Sequence, residues 1–163
     1  MKLTHEHLLE VLHYDHVTGI FRWRRSYRRA VAGNVAGHKN HRGYVMISVG
    51  GRLFLAHRLA FFYMTGEWPI GLIDHEDTDK SNNRWVNLRD ANSSQNGANS
   101  KLACNNSSGF KGVSWDAESC RWQAFIHIDG RTKRLGRFDS AEEAAASYQL
   151  AALANFGEFA RAA

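Results

Sequence analysis

Asp74 and His75 stand side by side behind an apolar pair, Leu72 and Ile73, and Asn87 and Asn96 complete a set spanning 23 residues. A carboxylate, an imidazole and two amides are equipment for metal-assisted hydrolysis of a phosphodiester. Mg2+ prefers oxygen ligands and keeps several waters, so one carboxylate and one amide oxygen suffice beside a substrate phosphate. Asp74 and Asn96 fit as ligands to one Mg2+ or Mn2+ per active site. The ion would offset charge on the pentavalent phosphorane and on the departing 3′ oxygen. His75, with an ordinary pKa of ~6.5, is largely neutral at pH 7 and can take a proton from the attacking water. Asn87 suits orienting His75 or tying the loop. An Asp-His pair alone is usually turn chemistry or a helix cap, and an Asn-rich surface is commonplace. The joint spacing lifts this set above both.

Two short strands carrying Ile73 and Leu88, packed under a helix that follows Ala91, would bring the four residues together. The stretch between them, residues 76–84, is nearly all turn-formers and charges, hence a loop. Asn92 or Ser93 caps the helix. Upstream, Thr4 can cap a short helix striped by Leu8, Leu9 and Leu12; residues 13–19 read as a turn and 20–24 as a strand. Residues 44–49 and 52–56 flank Gly50-Gly51, a hairpin signal, and a helix begins at His57 and ends at Gly66.

The 163 residues carry a net charge of +5, unevenly placed: +7 over residues 1–60, −3 over 61–100 and +1 over 101–163. An acidic patch inside a basic chain suits a divalent cation beside a phosphate-binding surface, with double-stranded DNA as the partner. Arg24, Arg25, Arg28 and Arg29 surround Tyr27 without periodicity, as in an arm lying on phosphates with a ring free to stack. Arg89 extends the set of DNA contacts. Cys104 and Cys120 form neither a C-x-x-C pair nor a zinc spacing, and no apolar run is long enough to span a membrane. A reduced, cytoplasmic protein without membrane association is the expectation.

The texture changes at residue 105. After a turn-like N-N-S-S-G come three strand expectations, 110–115, 121–128 and 132–138. Trp122, Ala124, Ile126 and Ile128 alternate onto one face of the second, which assigns Trp122 to the core. Ser140-Ala-Glu-Glu opens an alanine-rich helix to about residue 155, with Tyr148, Leu153 and Phe156 filling gaps against the sheet. Basic strands and an acidic helix start suggest a sheet whose open face meets DNA.

H-R-L-A at 57–60, G-E-W-P at 66–69, I-D-H-E-D-T-D-K-S-N-N-R at 73–84, N-L-R at 87–89 and Q-N at 95–96 resemble, in order and spacing, the phage and intron-encoded HNH homing endonucleases. Many such proteins write Asp-Gly where this chain has Asp77-Thr78, and paired zinc-binding cysteines found in some are absent. The likeness, over roughly residues 10–100, implies a ββα-metal (HNH, His-Me finger) fold, with Asp74 and Asn96 as metal ligands, His75 as general base and Asn87 as the middle Asn of the motif. K-G-V-S-W at 111–115, R-W-Q-A-F-I at 121–126, L-G-R-F-D-S-A-E-E-A-A-A-S-Y at 135–148 and F-G-E-F-A at 156–160 resemble the Apetala-2 / ethylene-response-factor DNA-binding domain. That implies a three-stranded antiparallel sheet docking in the major groove, with Lys111, Ser114, Trp115, Arg121, Gln123, Phe125, Lys133 and Arg137 as candidates for its DNA face.

The expected fold class is therefore α+β: an HNH region over 1–104, with an N-terminal DNA-contacting part about 1–56 and a ββα-metal core about 70–100, then an Apetala-2-like domain over 105–163. The expected activity is site-specific DNA endonuclease of the homing type, nicking DNA as a monomer inside a bacterial host, encoded by a phage or mobile element. A catalytically inactive DNA-binding regulator and a less specific HNH nuclease are the alternatives.

Overall fold

The computed structural model describes residues 3–161, which form two compact units, one running to Asp90 and the other from Ala91. In the first, Thr4 caps α1 (His5–Val11) by accepting from the His7 amide. The chain then enters β1 (Leu12–Asp15), which pairs antiparallel with β2 (Ile20–Trp23), Leu12 opposite Trp23. The turn expected over 13–19 is thus shorter: Leu12 and Tyr14 alternate into the core, and pairing with β2 overrides the weak local signal. Asp15 closes the turn by accepting from the Val17 and Thr18 amides.

The strands β3 (His38–Lys39), β4 (Val45–Val49) and β5 (Arg52–Leu55) form an antiparallel sheet in that order. Gly50 and Gly51 both take positive φ, the geometry a two-residue hairpin needs. Helix α2 (Ala56–Thr65) follows directly and ends at Gly66 in the left-handed region. Leu8, Leu12, Phe21, Ile47 and Leu59 are fully enclosed, and each such side chain contributes roughly 1.5–3 kcal/mol. Trp68 stacks on Phe62 at 4.3 Å and on Phe54 at 5.5 Å, fastening the G-E-W-P segment to the helix. Arg58 extends the fastening, donating to Pro69 O and Gly71 O just ahead of β6 (Leu72–His75). A 3-10 turn (Trp85–Asn87) leads into β7 (Leu88–Ala91), which pairs with β6.

In the second unit, Asn92 caps α3 (Ser93–Asn99) in a reciprocal box with Gln95. Strands β8 (Val113–Asp116), β9 (Arg121–Ile128) and β10 (Arg131–Phe138) form an antiparallel sheet with β9 central. Ser140 caps α4 (Ala141–Phe156), whose small Ala144 and Ala152 let the backbone approach Val113, Ala124 and Ile126. Tyr148 and Phe156 join that core as expected. Leu153 does not; it is half exposed. Among the described residues no helix is long and apolar enough to cross a membrane.

Candidate nuclease site

Strand β6 buries three consecutive residues, Ile73, Asp74 and His75, the last two to 5% and 4% exposure. Burial lowers the His75 pKa; the Asn83 hydrogen bond and the nearby Asp77, Asp74 and Asp79 charges only partly oppose it. The ring is therefore neutral at physiological pH. Its Nε2 lies 3.3 Å from Asn83 Oδ1, while Asn83 Nδ2 donates to Ser81 O. Because the amide nitrogen is committed to Ser81, the oxygen faces the imidazole and accepts the proton on Nε2. A neutral ring so arranged carries its lone pair on Nδ1.

Asn83 is itself buried and held from behind. Tyr14 Oη donates to its carbonyl at 2.6 Å, and the Trp85 amide donates to His16 O. Burial, the largest effect, and the Asp15 charge push the Tyr14 phenol up, keeping it protonated as donor. Gly19 touches the Asn83–Arg84 peptide so closely that a Cβ there would overlap it. The β1–β2 hairpin is thus the buttress for the loop that holds His75.

Asn87 ties the loop. Its Oδ1 accepts from the Asp77 amide at 3.0 Å, and its Nδ2 donates to Asp77 Oδ1 and to Asn82 O. Burial raises the Asp77 pKa, but hydrogen bonds from Asn82, the Asp79 amide and Asn87 outweigh it and hold the carboxyl low. Thr78 completes the turn at φ 64, the left-handed region where a β-branched residue is strained.

Asp74 receives the Arg89 guanidinium, Nε to Oδ2 at 3.0 Å. Arg89, expected among the DNA contacts, is turned inward, its side chain 15% exposed. His57, at the start of α2, is buried with its ring edge against His75 at 5.0 Å and beside Tyr44 at 5.4 Å. Burial, then the His75 and Arg58 charges, lower its pKa to about 3. Asn83 and His57 are the contributors that sequence reasoning missed. Each lay inside a quoted motif, but neither spacing nor residue type says that it faces His75.

Asn96 belongs to the second unit, exposed on α3. Among the described residues no group of three or more His, Cys, Asp or Glu is arranged to hold an ion, so a closed zinc-type cage has no ligands here. The donors present suit a different cation. A buried carboxylate oxygen fits a hard ion that keeps its waters and takes a substrate phosphate, and Asp74 supplies that donor.

The arginine arm at 24–29 borders a cleft of about 1140 Å3 lined by Trp23, Arg25, Tyr27, Arg28, Arg29 and His38, among others. Tyr27 is 70% exposed with the Arg28 guanidinium 5.3 Å from its ring centre. Arg25 pairs with Glu10, and Arg24 donates to Leu12 O.

In the second unit the strand register sorts the proposed sheet contacts. Ser114 and Arg137 lie opposite Gln123, Asp116 opposite Arg121, and Arg134 opposite Phe125, so these share the open face. Trp115 does not: it lies opposite Trp122, rings 5.2 Å apart, on the helix side. Lys133 lies opposite Ile126 on that same side. The cause is an irregularity between Arg134 and Gly136, where Leu135 joins the core and an extra residue shifts the alternation. Arg134, its guanidinium 5.7 Å from the Phe125 ring centre, takes the place expected for Lys133. Lys111 is turned to Ala98 O, and burial lowers its pKa. Arg121 pairs with Asp139, and Arg137 with Asp116.

Residues 54–98, which hold the Asp74, His75 and Asn87 constellation, match the family described as HNH endonuclease, and the chain belongs to that family. It is 34% identical over 85 residues to Protein 3.8 of Escherichia phage T7, covering 52% of this chain and 70% of that one. A solved structure titled "DNA binding and cleavage by the HNH homing endonuclease I-HmuI" aligns over 82% of this chain and 75% of its own, at 22% identity and a TM-score of 0.44.

Proposed function

We propose that the chain is a site-directed DNA endonuclease that nicks a phosphodiester with one divalent metal ion, Mg2+ or Mn2+, acting as a monomer on double-stranded DNA. The observation that carries this is the buried His75, its Nε2 3.3 Å from Asn83 Oδ1 and its neighbour on β6 the buried carboxylate of Asp74. Asp74 with Asn96 would hold the ion, which when bound supplies Lewis-acid stabilisation of the scissile phosphate and leaving oxygen. His75 Nδ1 takes the proton of the attacking water. Asn83 holds the ring, and Asn87 keeps the loop closed against β6.

Target choice falls to the rest of the chain. The arginine arm binds backbone phosphates. The open sheet face of an Apetala-2-like domain over 105–163, with Ser114, Arg121, Gln123, Phe125, Arg134 and Arg137, reads a groove. The test is nicking of supercoiled plasmid carrying the protein's own locus, with Mg2+. His75→Ala should lose about 10²–10⁴-fold in rate, the range for loss of a positioned proton acceptor, and Asp74→Ala should lose most cleavage with its ion, while both still shift the DNA in a gel. Full activity in either variant contradicts the role given to that residue.

A further inference from the structure

We propose that Arg89 makes cation binding at Asp74 contingent on a substrate phosphate: its fixed charge opposes the ion in the free protein, and an arriving phosphate offsets that charge. The inference rests on the ligand role given to Asp74 above. The two side chains meet at 3.0 Å between paired strands, Asp74 6% and Arg89 15% exposed. A guanidinium serving only as a phosphate contact would present its fork outward; this one is directed at the carboxylate. Stability alone is a weak reason for such a pair, since buried ion pairs are often no better than apolar replacements.

The electrostatics decide the sign. A cation on Asp74 would sit within several ångströms of a guanidinium that never loses its charge. At an effective dielectric of about 20, that repulsion exceeds a factor of ten in affinity. A phosphate between them is attracted to both. Metal and DNA then bind with positive coupling, and the free protein holds little metal.

The measurement is Mn2+ binding to the full chain without DNA, followed by the electron paramagnetic resonance of the free ion. Arg89→Gln, which keeps a donor and loses the charge, should lower the Kd for Mn2+ by about tenfold, while Arg89→Lys should stay close to the unaltered chain. Arg89→Met repeats the neutral case with apolar packing if the glutamine variant does not fold. Equal or weaker binding by the neutral variants, or binding in no chain, overturns the proposal. So does an unchanged Kd accompanied by weaker DNA binding and a shallower salt dependence, which returns Arg89 to the DNA surface. Asp74→Asn separates the two levels. If adding Asp74→Asn to the Arg89→Gln chain leaves its Mn2+ binding intact, the ligand assignment itself fails. If Asp74→Asn loses binding while Arg89→Gln changes nothing, only the role of Arg89 fails.

Discussion

The base role proposed for His75 rests on where β6 puts it: enclosed, with Nε2 set against Asn83. Because burial depresses its pKa, the ring takes up its proton below the ordinary value of ~6.5. The acidic limb of kcat/KM for nicking should therefore lie below that value, and a limb at or above it contradicts the neutral-base reading. His57 has a stability signature of its own. Its pKa is depressed to about 3, so as pH falls from ~6.5 the unfolded chain takes up a proton that the folded chain refuses. Stability should decline across that window, and His57→Phe should flatten the decline in Tm against pH. Thr78 carries strain of roughly 1–3 kcal/mol at φ 64, so Thr78→Gly should raise the Tm. Asp74, His75 and Asn87 were legible because strand, loop and strand spacing forces them near one another. Asn83 and the inward turn of Arg89 were not, since each depends on side-chain direction across the loop.

Periodicity located most elements, and failed where an element departs from regular alternation. The hairpin at Gly50-Gly51, the caps at Thr4 and Ser140, and the bounds of β9 follow from local chemistry. β1 was hidden because Leu12 and Tyr14 mark a strand only once β2 pairs with them. The irregularity at Leu135 puts Lys133 and Arg137 on opposite faces of the sheet, although they stand an even number of residues apart. On the proposed DNA face, Arg134→Ala should weaken binding more than Lys133→Ala in a gel-shift titration; the reverse order would place DNA on the helix side of the sheet. Gly19→Ala probes the buttress. A Cβ there meets the Asn83–Arg84 peptide, and φ is +74, so the variant should lose both Tm and nicking rate. Retention of both would separate the β1–β2 hairpin from the loop that holds His75.

Across the whole chain, charge and chemistry are divided by sequence region. The basic excess sits in residues 1–60, the acidic one around the candidate site, and a second basic surface lies on the sheet after residue 105. Two compact units meet at Asp90 and Ala91, within β7, a boundary that composition did not mark because no proline- or glycine-rich linker stands there. The proposed division of labour predicts that removing residues 105–163 weakens preference for the target more than it slows cleavage of saturating DNA. With about six phosphate contacts, log K should fall with a slope of about −5 in log[salt]. The central claim is hydrolysis by the Asp74/His75 constellation, and plasmid nicking tests it most directly. Supercoiled DNA carrying the cognate locus, incubated with the full chain and Mg2+, should convert to open circle, and His75→Ala should stop the conversion while binding persists. Intact supercoiled DNA with the unaltered protein, or undiminished nicking by His75→Ala, would contradict it.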